Sequence, residues 1–296
     1  QEISMNLTLV KKKTHPSIPI TPRRMEFSFE GIKHDDYWFD NDPVLTHLLN
    51  VLSLTFPDGE RFFVDSVRAL RDQVQDKDRQ KDISGFIGQE AMHSLEHQAF
   101  NDLIANGKYD DIVNHALNVT NKLLAGARQY MSKRQQLAAT AGLEHFTAIL
   151  ADAILRRPDL VESMDPAVRD LWVWHAIEET EHKAVAFDLY KEVNGNYLER
   201  QRLFLSSTVY LIGFSSYFTW QMLKRDKIHR KPLTLAKGLW KGFGYKGVIS
   251  SIIPAWFTYL KPGFHPWDDD NSALIEEWRS TLPEPGGVKE SSRIAS

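Results

Sequence analysis

The chain of 296 residues contains no cysteine, and this absence excludes several kinds of chemistry. Without cysteine there is no disulfide framework, no thiol nucleophile and no thiolate metal ligand, so histidine and carboxylate side chains are the strong metal donors that remain. The sequence also lacks a glycine-rich dinucleotide loop. A net charge of -3 gives no global positive field, so nucleic-acid binding is not expected.

Alternating strand patterns are scarce as well, whereas helix signals cover most of the chain. Asp42-Pro43 is typical of a helix start, and Pro57 predicts a second start. Asp110–Tyr130 is expected to be a crossover between two helices of a bundle, and the helix that begins at Asp165 is expected to continue to Asn194. The helices that carry candidate ligands are predicted to begin near Pro57, Lys77, Ser132 and Asp165.

The pattern divides the chain into four segments. Prolines near the N-terminus oppose regular structure, so residues 1–41 are expected to form an extended arm. Residues 42–195 are expected to form a helical bundle, and residues 196–282 an apolar helical extension. The polar stretch 283–296 is typical of a disordered tail.

The same arrangement of potential metal-ligand residues occurs twice within the predicted bundle. The motif Glu-x-x-His occurs twice, and each copy follows a single glutamate by 30 or 35 residues. Residues three apart on an α-helix lie about 60° apart around its axis, so the Glu and His of each motif can bind one ion. Four carboxylates and two imidazoles on four helices are the ligand set of di-iron and di-manganese carboxylate bundles. The candidate ligands are Glu60, Glu90, His93, Glu144, Glu179 and His182.

These residues predict an all-α fold, a ferritin-like four-helix bundle with a helical C-terminal extension. A single Glu-x-x-His motif usually lies on a solvated helix face, but two copies flanked by apolar residues favour buried ligands over a buried salt-bridge network without metal. His175 shares the helix face of Glu179 and is a candidate seventh ligand. His97 stands in a similar relation to His93, as a ligand or as a residue that contacts ligands.

The blocks "GQEAMHSLEHQAFN", "LEHFTAILAD" and "WHAIEETEHKAVAFDLY", with "YLKPGFHPW" near the C-terminus, resemble bacterial proteins catalogued as predicted metal-dependent hydrolases. The resemblance covers about Ile20 to Trp278 and implies a metal site without defining a mechanism. The ligand pattern is also similar to that of the di-iron arylamine N-oxygenases, which carry an extra histidine at the place of His175.

The first functional hypothesis is a non-haem di-iron oxidase or oxygenase that activates O2 to oxidise a lipophilic small molecule. A dinuclear metal-dependent hydrolase and a non-catalytic, ferroxidase-like metal-binding bundle are the alternatives. Two iron ions are the expected cofactor, with manganese or a mixed manganese–iron pair as alternatives, and zinc for a hydrolase. Electrons for an oxygenase would come from a separate donor protein.

Two apolar segments follow the bundle, Leu203–Leu223 and Val248–Leu260. The first has 21 residues without a charge, enough to cross a bilayer core of about 30 Å, but seven of them are Ser, Thr or Gln. Core or subunit packing in a homodimer, contact with a membrane surface, and a membrane span are the three interpretations. We expect one or both segments to cover the metal site, in a cytoplasmic protein that contacts the inner membrane peripherally if at all.

Overall fold

The structure is a computed structural model that describes residue 16 and residues 18–282. Within these residues all regular structure is helical, apart from one isolated antiparallel bridge between Phe39 and Met164. The prediction of an all-α helical bundle is therefore confirmed. The tail 283–296 and most of the first 17 residues of the predicted arm lie outside the described part.

The described α-helices are α1 (Pro43–Arg68), α2 (Lys77–Ala105), α3 (Asp110–Tyr130), α4 (Lys133–Leu155), α5 (Pro158–Glu162), α6 (Pro166–His182), α7 (Val185–Glu192), α8 (Tyr197–Arg225), α9 (Pro232–Phe243), α10 (Val248–Thr258) and α11 (Ser272–Arg279). Short 3-10 turns lie at Arg71–Gln73, Ile228–Arg230 and Pro266–Asp268.

Side-chain caps begin several helices where the sequence predicted, among them α2, α4 and α6. Asp76 accepts hydrogen bonds from the first turn of α2, and Asp165 accepts one from the first turn of α6. Ser132 and Gln135 form a reciprocal capping box at α4. These caps satisfy backbone N–H groups that the first helical turn leaves free, so the boundaries follow from local sequence.

The predicted second helix start at Pro57 is wrong, because α1 continues through this proline. Proline has no N–H to donate to the carbonyl four residues earlier, which belongs to Ser53. The side-chain amide of Asn101 on α2 donates to that carbonyl instead, over 2.9 Å. Ser94, also on α2, donates its hydroxyl to the Pro57 carbonyl over 3.2 Å. Contacts between the two helices therefore replace the bond that proline removes.

The helix predicted from Asp165 to Asn194 is also interrupted, directly after His182. The turn lies at Lys183, whose buried ammonium donates over 2.8 Å to the carbonyl of Asp269 and to the side chain of Asn271. It also lies 4.0 Å from the centre of the Trp267 ring. The interruption thus joins the end of the ligand-bearing helix to the C-terminal part of the chain.

The core lies between α1, α2, α4 and α6, and the C-terminal extension packs onto it. Phe204 and Phe214 of α8 are buried in the same apolar clusters as residues of the bundle. Asp110–Tyr130 forms α3, which connects α2 to α4 and packs against α1. The described part of the N-terminal arm has no regular structure, yet Arg23 bonds to Glu178 and Glu181 near the C-terminal end of α6.

Among the described residues, one helix is long and apolar enough to cross a membrane by length and composition, namely α4. Its apolar window is 61% buried, and core helices of soluble proteins pass the same test. Leu203–Leu223 does not meet this criterion, so the interpretation of that segment as a membrane span finds no support.

Candidate metal centre

Seven of the eight predicted site residues converge in the middle of the bundle. α1 contributes Glu60, α2 contributes Glu90 and His93, and α4 contributes Glu144. None of the seven is more than 4% exposed. The remaining three lie on one face of α6, at intervals of four and three residues, and are His175, Glu179 and His182.

The donor atoms fall into two groups, each of which offers three ligand residues that could hold one ion. Glu60, His93 and His175 form the first group, and in each group the donor atoms lie within 4.8 Å of one another. The second group is Glu90, Glu179 and His182. Glu144 joins the second group, because its Oε2 lies 3.4 Å from Nε2 of His182.

Two glutamates face both groups. Oε1 of Glu179 lies 3.1 Å from Nε2 of His175, and its Oε2 lies 3.7 Å from Nε2 of His182. Oε1 of Glu90 lies 3.0 Å from Nε2 of His182 and 3.8 Å from Nδ1 of His93. Each carboxylate therefore lies between the two donor groups, which the spacing of the motifs alone did not indicate.

The unsatisfied polar atoms at this site fit a metal pair. Within the described part of the chain, eight buried donor or acceptor atoms of the site have no hydrogen-bond partner. An unpaired buried polar atom costs about 1–3 kcal/mol, and more when it is charged, so such a concentration favours a bound ligand. Oxygen and imidazole donors without sulfur suit iron, manganese or zinc. The eight atoms are Oε1 of Glu60, both carboxylate oxygens of Glu90 and Glu144, both ring nitrogens of His93, and Nε2 of His182.

Without metal, burial and mutual repulsion govern the ionisation of these groups. Burial, together with the neighbouring carboxylates, raises the pKa of Glu60 and of Glu90 well above the usual value. The same causes raise the pKa of Glu144 to about 7. Burial also acts to raise the pKa of Glu179, but His182 and His175 outweigh it and hold that pKa well below the usual value. A metal ion that binds here at neutral pH would therefore displace protons.

His182 and His175 each have a hydrogen-bond partner on the ring nitrogen that points away from the centre, whereas His93 has only a charged neighbour there. Nδ1 of His182 lies 2.9 Å from Oε1 of Gln89, whose amide N–H groups are used by Glu181 and Thr21. The amide oxygen accepts, so Nδ1 of His182 carries a proton and Nε2 is the nitrogen that faces the centre. Nε2 of His93 lies 3.2 Å from Glu178, which leaves Nδ1 of His93 facing the carboxylates.

A longer hydrogen-bonded chain supports His175. The amide N–H of Asn101 donates to a backbone carbonyl, so its Oδ1 must accept, and the Ser53 hydroxyl donates to it over 2.7 Å. The hydroxyl has no second proton, so it accepts from Nδ1 of His97 over 2.8 Å. Nε2 of His97 then accepts from Nδ1 of His175 over 2.7 Å. The lone pair of His175 is left on Nε2, which faces Glu179.

The eighth predicted residue, His97, thus lies behind His175 and has both ring nitrogens occupied by His175 and Ser53. The sequence indicated that His97 shares the helix face of His93, but not whether it is a metal ligand or a residue that contacts a ligand. Several further polar residues that touch the ligands were not found from the sequence, because their partners lie on other helices. They are Gln89, Ser94 and Thr147, and, behind His97, Ser53 and Asn101.

An apolar cavity of about 270 Å³ ends at the centre. Glu60 and Glu179 are its charged lining residues, and the Thr147 hydroxyl donates to Glu179 where the cavity meets the centre. The segment Leu203–Leu223 covers this cavity as predicted, through Leu203, Ser206, Ser207, Tyr210 and Leu211. Val248–Leu260 contributes no lining residue; its Trp256 packs against Phe204 instead.

Comparison with protein families gives a match over residues 21–270, to a model described as predicted metal-dependent hydrolase. The chain belongs to this family. The match covers the arm from Thr21, all the candidate metal ligands and most of the C-terminal helices. Comparisons with curated proteins and with solved structures gave no match.

Proposed function

We propose that this family member is a dinuclear metal enzyme that acts on a lipophilic small molecule. The observation that carries the proposal is the position of the two donor groups at the end of an apolar cavity. A largely apolar pocket that ends at a few convergent polar groups is typical of a small-molecule site.

In this proposal Glu60, His93 and His175 would hold one ion, and Glu144 and His182 would hold the other. Glu90 and Glu179 lie between the two groups and would complete the donor set. These assignments are supported by the distances between donor atoms and by the unpaired atoms of the centre.

The lining of the cavity favours oxidation over hydrolysis. Two iron ions supply chemistry with O2 when they are bound by such a donor set. Apart from Glu60 and Glu179, the described lining contains no charged side chain that can protonate a leaving group. The apolar walls instead exclude water and hold a hydrocarbon body against the centre, and Thr147 orients the Glu179 carboxylate by its hydrogen bond.

A metal-dependent hydrolase is the second candidate, because the description of the family names that activity. With zinc or manganese the same donor set supplies Lewis-acid chemistry for hydrolysis. A metal-binding bundle that oxidises iron without an organic substrate is the third.

One experiment separates the three candidates. The protein is loaded anaerobically with iron(II), or with zinc(II) or manganese(II), and assayed for O2 uptake and for turnover of ester and phosphoester panels. Substrate-dependent O2 uptake with iron is expected. Hydrolysis with zinc or manganese and no O2 uptake with iron would support the hydrolase, and O2 uptake that no lipophilic compound accelerates would support the third candidate.

A further inference from the structure

Helix α9 turns its small residues toward the bundle and exposes its large apolar residues, which is the reverse of an ordinary surface helix. Its glycines face α1: a Cβ added to Gly238 would lie 2.5 Å from Val44, and one added to Gly242 would lie 3.6 Å from Leu45. The large residues of α9 lie on the other side, where Leu233 is 86% and Trp240 66% exposed. A surface helix normally buries its large apolar residues, so this outward face indicates an interaction surface.

The exposed apolar surface continues through the turn after α9 and along α10. Tyr245 lies in that turn, and Ile253 and Phe257 lie on the outer side of α10. The opposite side of α10 is anchored, since Trp256 stacks on Phe204 and donates to Thr208 over 3.1 Å. We call the exposed residues of both helices the outer apolar face; they are Leu233, Trp240, Phe243, Tyr245, Ile253 and Phe257.

The charge of this part of the chain is strongly positive. The stretch 227–267 contains seven Lys and Arg residues and no Asp or Glu, in a chain whose net charge is -3. Several of these cations are exposed beside the outer apolar face, including Lys237 and Lys246. Aromatic residues next to cations are typical of segments that lie at an anionic membrane surface, which attracts Lys and Arg side chains.

We infer that α9 and α10 bind an anionic lipid surface through the outer apolar face. A second copy of the chain is the competing occupant of such a face. A two-fold interface would place exposed cations of each copy, such as Lys237 and Lys246, close to their counterparts in the other copy, which opposes association. Anionic lipid headgroups neutralise these cations, and the acyl region accepts Trp240, Phe243 and Phe257.

The surface also lies beside the helix that covers the cavity. α10 packs on Phe204 and Thr208 of α8, and the neighbouring residues Leu203 and Ser207 line the cavity. A lipophilic substrate dissolved in the bilayer would therefore have a short path to the cavity. This second step rests on the proposed function, whereas binding to the lipid surface does not.

The test uses the full chain and sedimentation with vesicles of phosphatidylcholine, with or without phosphatidylglycerol. Wild-type protein is expected to sediment with the anionic vesicles and to be released by salt. The double variant Trp240→Ser/Phe243→Ser and the double variant Lys237→Gln/Lys246→Gln should each bind at least tenfold more weakly. Matched controls change exposed residues elsewhere, namely Leu95→Ser/Tyr130→Ser and Lys122→Gln/Lys191→Gln, and should bind as wild type does.

Three results would overturn the inference. The first is that wild-type protein stays in the supernatant in the presence of anionic vesicles. The second is that the control variants lose as much vesicle binding as the test variants. The third is a wild-type dimer that Trp240→Ser/Phe243→Ser converts to a monomer in sedimentation velocity, without vesicle binding by either. Metal-free wild-type protein is tested in parallel, because its binding to vesicles is expected to persist even where the proposed enzymatic function fails.

Discussion

The side-chain amide of Asn101 donates to the backbone carbonyl of Ser53 over 2.9 Å, in the place of the N–H that Pro57 lacks. This bond fixes which end of the Asn101 amide faces the Ser53 hydroxyl. Through His97 it sets the tautomer of His175 and leaves the Nε2 lone pair toward the metal centre. A proline inside α1 is thereby connected to the orientation of a candidate metal ligand on α6.

We predict that Ser53→Ala weakens metal binding without unfolding the chain. The substitution removes the group that accepts from Nδ1 of His97, so the proton position on His175 is no longer determined. Loss of such a supporting hydrogen bond typically weakens metal affinity by about 10- to 100-fold. Competition with a chromophoric chelator measures the affinity, and the nitrogen NMR signals of the histidines report the tautomer.

Ser66→Ala is the matched control for this prediction. Ser66 is another buried serine of α1, and it bonds to Phe63 and Thr140 rather than to the centre. Equal affinities of the Ser53→Ala and Ser66→Ala variants would show that the hydrogen-bonded chain does not act on the metal.

We predict that Glu144→Gln loses at least one metal ion per chain while it stabilises the metal-free protein. The amide keeps the shape of the side chain but removes a charge that repels Glu90 and Glu179. Metal analysis gives the stoichiometry, and thermal unfolding with and without metal gives the stability. Glu162→Gln, at an exposed position of α5, should change neither; unchanged stoichiometry in Glu144→Gln would contradict the ligand assignment.

The stability of the metal-free protein should fall as the pH rises. Burial raises the pKa of Glu144 from the usual 4.5 to about 7, so the folded state binds a proton in this window that the unfolded state has released. The free energy of unfolding therefore decreases between these two pH values. Denaturant titrations across the window measure it, and the Glu144→Gln variant should show a smaller slope. A metal-free wild type that becomes more stable across the same window would contradict the prediction.

Filling the cavity should block substrate without disturbing the metal. Gly59 lies on the cavity wall, and no atom lies within 4 Å of an added Cβ. We predict that Gly59→Leu binds metal normally and loses affinity for a fluorescent fatty acid. Replacing a glycine inside a helix also stabilises the helix by about 0.5–1 kcal/mol.

The matched control is Gly126→Leu on α3, where an added Cβ also meets no atom within 4 Å but the position is outside the cavity lining. It should show the same gain in stability and bind the probe as wild type does. Probe binding to Gly59→Leu at wild-type strength would show that the cavity is not the substrate site.

The sequence by itself determined the helical class and six of the candidate ligands. Caps such as Ser132 act within one turn, and Glu-x-x-His depends on the spacing of residues along one helix, so both are local properties. The two copies of the motif, at Glu90 and Glu179, were therefore visible without any knowledge of how the helices pack.

Only the tertiary structure decided what happens between helices. Pro57 predicted a helix start by a local rule, but Asn101 on α2 supplies the missing donor and α1 continues. His97 shared a helix face with His93, but its place behind His175 depends on the packing of α2 against α6, which are distant in sequence. The positions of Glu90 and Glu179 between the two donor groups also depend on how the helices pack against one another. Contacts across such separations are set by the packing of the whole core, and no periodicity within a single helix encodes them.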